Sequence, residues 1–72
     1  MNRIGRCFQS EIIHHFGWDD TLKEKRLVAP DDLFLVVDDV GYCRAVRLAD
    51  GHVFHFCHDD VDEYLRGFSI ET

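Results

Sequence analysis

Residues 33–57 read LFLVVDDVGYCRAVRLADGHVFHFC, and this stretch decides the fold. Leu33 to Val37 is a compact run of branched and aromatic side chains between two aspartate pairs, Asp31-Asp32 and Asp38-Asp39, which is how a buried strand looks. After it, Tyr42, Arg44, Val46 and Leu48 alternate with Cys43, Ala45 and Arg47. Ala49-Asp50-Gly51-His52 supplies turn chemistry, and Val53 to Cys57 returns as another β-prone run. A hairpin preceded by one more strand predicts a three-stranded antiparallel sheet.

Toward the N-terminus, Ile4, Phe8, Ile12 and Phe16 recur every four residues, with Gly17 where a helix C-cap falls. The spacing predicts a helix, strongest over Gln9 to Phe16, with a short edge strand over residues 2–8 as the alternative. Asp19 or Asp20 then caps a second short helix, Thr21 to Leu27, which Pro30 ends. Toward the C-terminus, His58 or Asp59 opens an acidic first turn, and Val61, Tyr64, Leu65 and Phe68 fall at helical spacing. The expected fold is α+β: a three-stranded antiparallel sheet packed against two or three short helices, in one domain spanning residues 1–72. Its expected core comprises Phe8, Ile12, Phe16, Leu35, Val37, Val46, Leu48, Phe54, Phe56, Val61 and Leu65.

A chain of 72 residues with 46% hydrophobic side chains can fold alone, but has little core to spare for a deep substrate cleft. That argues against a self-contained enzyme. No apolar run approaches the roughly 20 residues of a membrane helix, and no long apolar signal region opens the chain, so a soluble, cytoplasmic protein is expected. The three cysteines cannot all pair internally, and two lie in expected strands, so they read as reduced thiols.

The net charge is −6, and its distribution is uneven. Residues 1–30 carry five bases (Arg3, Arg6, Lys23, Lys25, Arg26) against four acids, whereas residues 31–72 carry three bases (Arg44, Arg47, Arg66) against ten acids. The acids come as neighbouring pairs, Asp19-Asp20, Asp31-Asp32, Asp38-Asp39 and Asp59-Asp60, the last extended by Asp62 and Glu63. Capping and turn formation can account for any one pair. Taken as a set, the pairs concentrate negative potential.

Other chemistry is weaker. His52, His55, Cys57 and His58 have the right atoms for zinc, with His14, His15 and Cys7 as further ligands only through a tertiary contact, but no pair of close ligand pairs announces a structural site. Cys57 and His58 are adjacent and would face opposite sides of a strand, which defeats a nucleophile–base pair. No catalytic residue, metal or cofactor is expected. Lys23, Lys25 and Arg26 form the one basic cluster and read as a solvated helix face, since a chain at −6 opposes a polyanion. Trp18 and Tyr42 are candidate exposed anchors for a protein contact.

Carboxylates spread over one side of a small rigid protein can occupy the basic channel of a nucleic-acid-binding protein and exclude the nucleic acid. In size, α+β form and the pairs Asp31-Asp32, Asp38-Asp39 and Asp59-Asp60, the chain resembles the small acidic single-domain inhibitors encoded by bacteriophages, including anti-CRISPR proteins, some of which act as DNA mimics. That resemblance implies no catalysis, no cofactor, and a partner such as a subunit of a CRISPR effector complex in the host cytoplasm. The expected contact is Asp38, Asp39, Asp59, Asp60, Asp62 and Glu63, with Asp31 and Asp32 at its rim. Direct nucleic-acid and membrane contacts are not expected, and the oligomeric state is open. The alternatives are a metal-binding regulatory module built on His52, His55, Cys57 and His58, and an acidic accessory or antitoxin-like partner of a basic protein.

Overall fold

The computed structural model describes residues 3–9 and 15–67. The central hairpin and the strand before it form where their alternation places them, as β4 (Leu33–Asp38), β5 (Cys43–Arg47) and β6 (Val53–Phe56), followed by α1 (His58–Gly67). Three further strands precede them: β1 (Cys7–Gln9), β2 (His15–Asp19) and β3 (Glu24–Val28). All six join one antiparallel sheet in the order β1-β4-β5-β6-β2-β3, so that β1 and β3 are its edges. The expected α+β arrangement of three strands with two or three helices is therefore wrong. The chain is mostly β, with one helix among the described residues.

Both errors have a physical origin. A spacing of four is two strand periods as well as about one helical turn, so Phe8 and Phe16 fit either reading. Cys7–Gln9 is an edge strand, which overlaps the alternative over residues 2–8 only at Cys7 and Phe8, and Phe16 and Gly17 lie in β2. Residues 10–14 of the expected first helix lie outside the described residues. At the second expected helix, Asp19 Oδ1 accepts from the backbone N–H groups of Thr21 and Leu22 at 2.9 and 3.1 Å. A helix N-cap makes the same bonds, but here they close the β2–β3 turn, which Lys23 completes with φ of +57°.

One face of the sheet is the core. Phe8, Phe34, Val36, Cys43, Ala45, Phe54, Phe56 and Val28 are buried there with Val61, Tyr64 and Leu65 of α1. Phe34 is its hub, with ring centroids 5.4 Å from Phe8, 5.6 Å from Phe54 and 5.0 Å from Phe56. Phe8 stacks in turn on Tyr64 of the helix at 5.6 Å. In β4 the expected core phase was off by one residue: Phe34 and Val36 point inward, Leu35 is half-buried on the other face, and Val37, at a bulge between Val36 and Asp38, is 44% exposed. Val46 is likewise half-buried and Leu48 is 50% exposed, while Ile12 and the Phe16 side chain lie outside the described residues.

Gly17 faces the core, where an added Cβ would sit 3.2 Å from Val28 Cγ2 and 3.3 Å from Phe54 Cδ2. The glycine lets Phe54 lie against β2. Beyond Phe54 the core is closed by a charge: Arg47 is buried, with its guanidinium 4.7 Å over the Phe54 ring. It donates from Nε and Nη2 to Asp50 at 3.2 and 2.6 Å, and from Nη1 to Asp32 at 3.3 Å and to the Leu27 carbonyl at 3.4 Å.

Phe34→Ala is expected to cost about 3–5 kcal/mol in urea unfolding, because a central ring leaves a cavity its neighbours cannot fill. Leu48→Ala should stay within about 0.5 kcal/mol of the parent, as for other exposed positions.

Candidate functional site

The eight acids read from the sequence as one contact divide in two. Asp32 is held by Arg47 and accepts from the Ala29 N–H at 3.0 Å. Asp38 takes Arg44 Nη1 at 3.2 Å and the Val40 N–H at 3.2 Å. Asp62 receives a two-pronged bond from Arg3, Nε at 2.6 Å and Nη2 at 2.8 Å, and the same guanidinium reaches Asp39 at 3.0 Å. Arg3 thus ties α1 to the loop after β4. His58 Nε2 lies 3.0 Å from the other oxygen of Asp39, out of line for a hydrogen bond. These four carboxylates hold parts of the fold together and spend much of their charge on arginines.

Asp31, Asp59, Asp60 and Glu63 are different: all are exposed and have no ion-pair partner among the described residues. Asp59, Asp60 and Glu63 lie on α1, whose inner side is committed to the core through Val61, Tyr64 and Leu65. Asp59 and Asp60 in the first turn also complement the helix dipole.

A second feature lies on the opposite face of the sheet. Antiparallel partners share a face, and the register sets Arg44 opposite His55, His55 opposite Trp18, and Trp18 opposite Lys25. These four residues form one row across β5, β6, β2 and β3. Tyr42 stacks on His55 with centroids 5.7 Å apart and planes 15° from parallel. Trp18 and Tyr42 are 40% and 62% exposed, and with His55, Phe56 and Cys57 they line a groove of about 340 Å³. Cys7, Leu35, Val46 and Val53 form a neighbouring apolar row. Trp18 and Tyr42 were legible as exposed aromatics. Their meeting through His55 was not, because it needs β2 to pair with a strand 37 residues downstream.

The histidines do not converge. His52 Nδ1 lies 2.9 Å from Asp19 Oδ2, with Arg26 Nη1 3.3 Å from the same nitrogen. His55 lies in the groove and His58 beside Asp39. Among the described residues no three His, Cys, Asp or Glu side chains are grouped to hold a metal ion, and His14 lies outside them. Burial, reinforced by Asp39, pushes the Cys43 thiol up to about 11, which keeps it protonated and a poor nucleophile at neutral pH.

Several aspartates titrate below their ordinary range. Burial would raise Asp19, but bonds from His52 and the Leu22 and Thr21 N–H groups outweigh it. Arg47 brings Asp50 down to about 2, and Arg3 lowers Asp62. A carboxyl lowered on folding contributes stability that is full above its unfolded value near 3.8 and is lost as pH falls through the folded one. Urea midpoints should therefore hold near neutrality and fall steeply from about pH 4 toward pH 2. Arg47→Met should remove part of that slope, which chemical denaturation at a series of pH values will read.

No helix of the described residues is long and apolar enough to cross a membrane. Comparison with protein-family models, with curated proteins and with solved structures finds no match to this chain.

Proposed function

We propose that this chain is a non-enzymatic protein-binding inhibitor of the anti-CRISPR kind, working in the host cytoplasm, whose acidic helix competes with DNA for a basic groove on a nucleic-acid-handling complex. The observation that carries the reading is the free carboxylate set on α1: Asp59, Asp60 and Glu63 are exposed and unpaired among the described residues, while Asp32, Asp38, Asp39 and Asp62 are held by arginines. A lysine- or arginine-lined groove gains charge-assisted bonds from such a surface without first breaking an internal ion pair. The contact thus narrows to α1, with Asp31 as a separate outlying charge.

The rigid placement of α1 favours the same reading. Its inner residues are buried with Phe8 and Phe34, and Arg3 fixes Asp62 from the side, so little conformational freedom remains to be lost on binding.

Asp59→Lys with Asp60→Lys should abolish competition with DNA for an affinity-captured target complex, whereas Asp59→Asn with Asp60→Asn should weaken it in proportion to the lost charge. The parent's affinity should fall steeply with added salt. Circular dichroism melts of both variants check the fold, since each lost dipole contact costs about 0.3–1 kcal/mol. Salt-insensitive inhibition, or full activity of the folded lysine variant, overturns the reading.

A further inference from the structure

We propose that the outer face of the sheet binds single-stranded nucleic acid, with bases stacking in the Trp18–Tyr42–His55 groove and phosphates meeting Arg44 and Lys25. This inference is independent of the role given to α1, which packs on the other side of the sheet.

Three observations converge on it. The row Arg44, His55, Trp18, Lys25 places two aromatic rings between two cations on adjacent strands. Four strands at ordinary spacing make that row about 14 Å long. Single-strand binding sites are built in this way, because every base offers a π-face and every linkage a negative charge. Next, two large aromatics stay substantially exposed beside a groove of about 340 Å³, a volume within the ordinary range for ligand sites. Last, His55 lines the groove with its Nε2 buried 3.5 Å from Asp20 Oδ2, which leaves the ring, not that nitrogen, to the ligand.

Charge on this face does not oppose the ligand, although the whole chain is acidic. The free carboxylates Asp59, Asp60 and Glu63 belong to α1, on the core side of the sheet. On the outer face Asp38 is held by Arg44 at 3.2 Å and Asp20 by Lys23 at 2.7 Å. Lys25 is exposed with no ion-pair partner among the described residues. Arg44 is paired with Asp38 through Nη1 and offers its remaining guanidinium donors, so Lys25 supplies the uncompensated positive charge of the row. The two cations flanking the row also disfavour the competing occupant, a cationic side chain caged by the aromatics.

The chain contains one tryptophan, so Trp18 reports on its own site. Fluorescence of the full chain should be quenched saturably by a single-stranded oligothymidylate of about 16 nucleotides at low salt. Anisotropy of a labelled copy of the oligonucleotide should rise in parallel. Tyr42→Ala, at an exposed position, should weaken binding at least about fivefold by removing one stacking partner. If Lys25 neutralises one phosphate, log affinity should fall against log salt with a slope of about −0.7, and Lys25→Gln should bring the slope toward zero. An unchanged anisotropy at low salt, or full affinity in Tyr42→Ala, overturns the proposal. Quenching by a trimethyl-lysine peptide but not by the oligonucleotide also overturns it and assigns the groove to a cation.

Discussion

Arg47 sits where a small sheet runs out of apolar cover. The ten residues of α1 close the core beside Phe8 and Phe34, and at Phe54 the closing group is a guanidinium over the ring. Burying that charge is tolerable only because its donors are taken up by Asp50, Asp32 and the Leu27 carbonyl. The same contacts join the β5–β6 loop, the loop before β4 and the end of β3, so the packing of the sheet's far half depends on one hydrogen-bonded cation.

This use of arginine changes how the acidity of the chain is understood. Along the sequence the aspartate pairs look alike. In space, Asp32, Asp38, Asp39 and Asp62 are internal ties, whereas Asp31 and, on α1, Asp59, Asp60 and Glu63 face outward without an ion-pair partner among the described residues. Two of the three C-terminal bases, Arg44 and Arg47, are among those partners, while Arg3 arrives from the other end of the chain.

The legible part of the fold is the part coded by one contiguous run or period. Strands β4, β5 and β6 and helix α1 each follow from a single uninterrupted pattern, and the aspartates in the first turn of α1 mark its start. The first third was misread where one residue serves two geometries equally: Phe8 and Phe16 at a spacing compatible with both periods, and Asp19 bonding Thr21 and Leu22 as either a helix cap or a turn would. The continuous apolar run Leu33 to Val37 identified a strand without saying which face was inward, because both faces are lined by apolar neighbours. The groove was hidden for a topological reason. Trp18 and Tyr42 meet around His55 only because β2 inserts between β6 and β3.

That insertion leaves the two outermost strands unequal. β1 is three residues long and lies beside α1, whereas β3 offers five residues of backbone along the rim. Glu24, Lys25 and Arg26 occupy most of that rim, so another polypeptide adding itself there would have to desolvate charges of both signs to complete a ladder. The arrangement discourages fibrillar growth from an open margin.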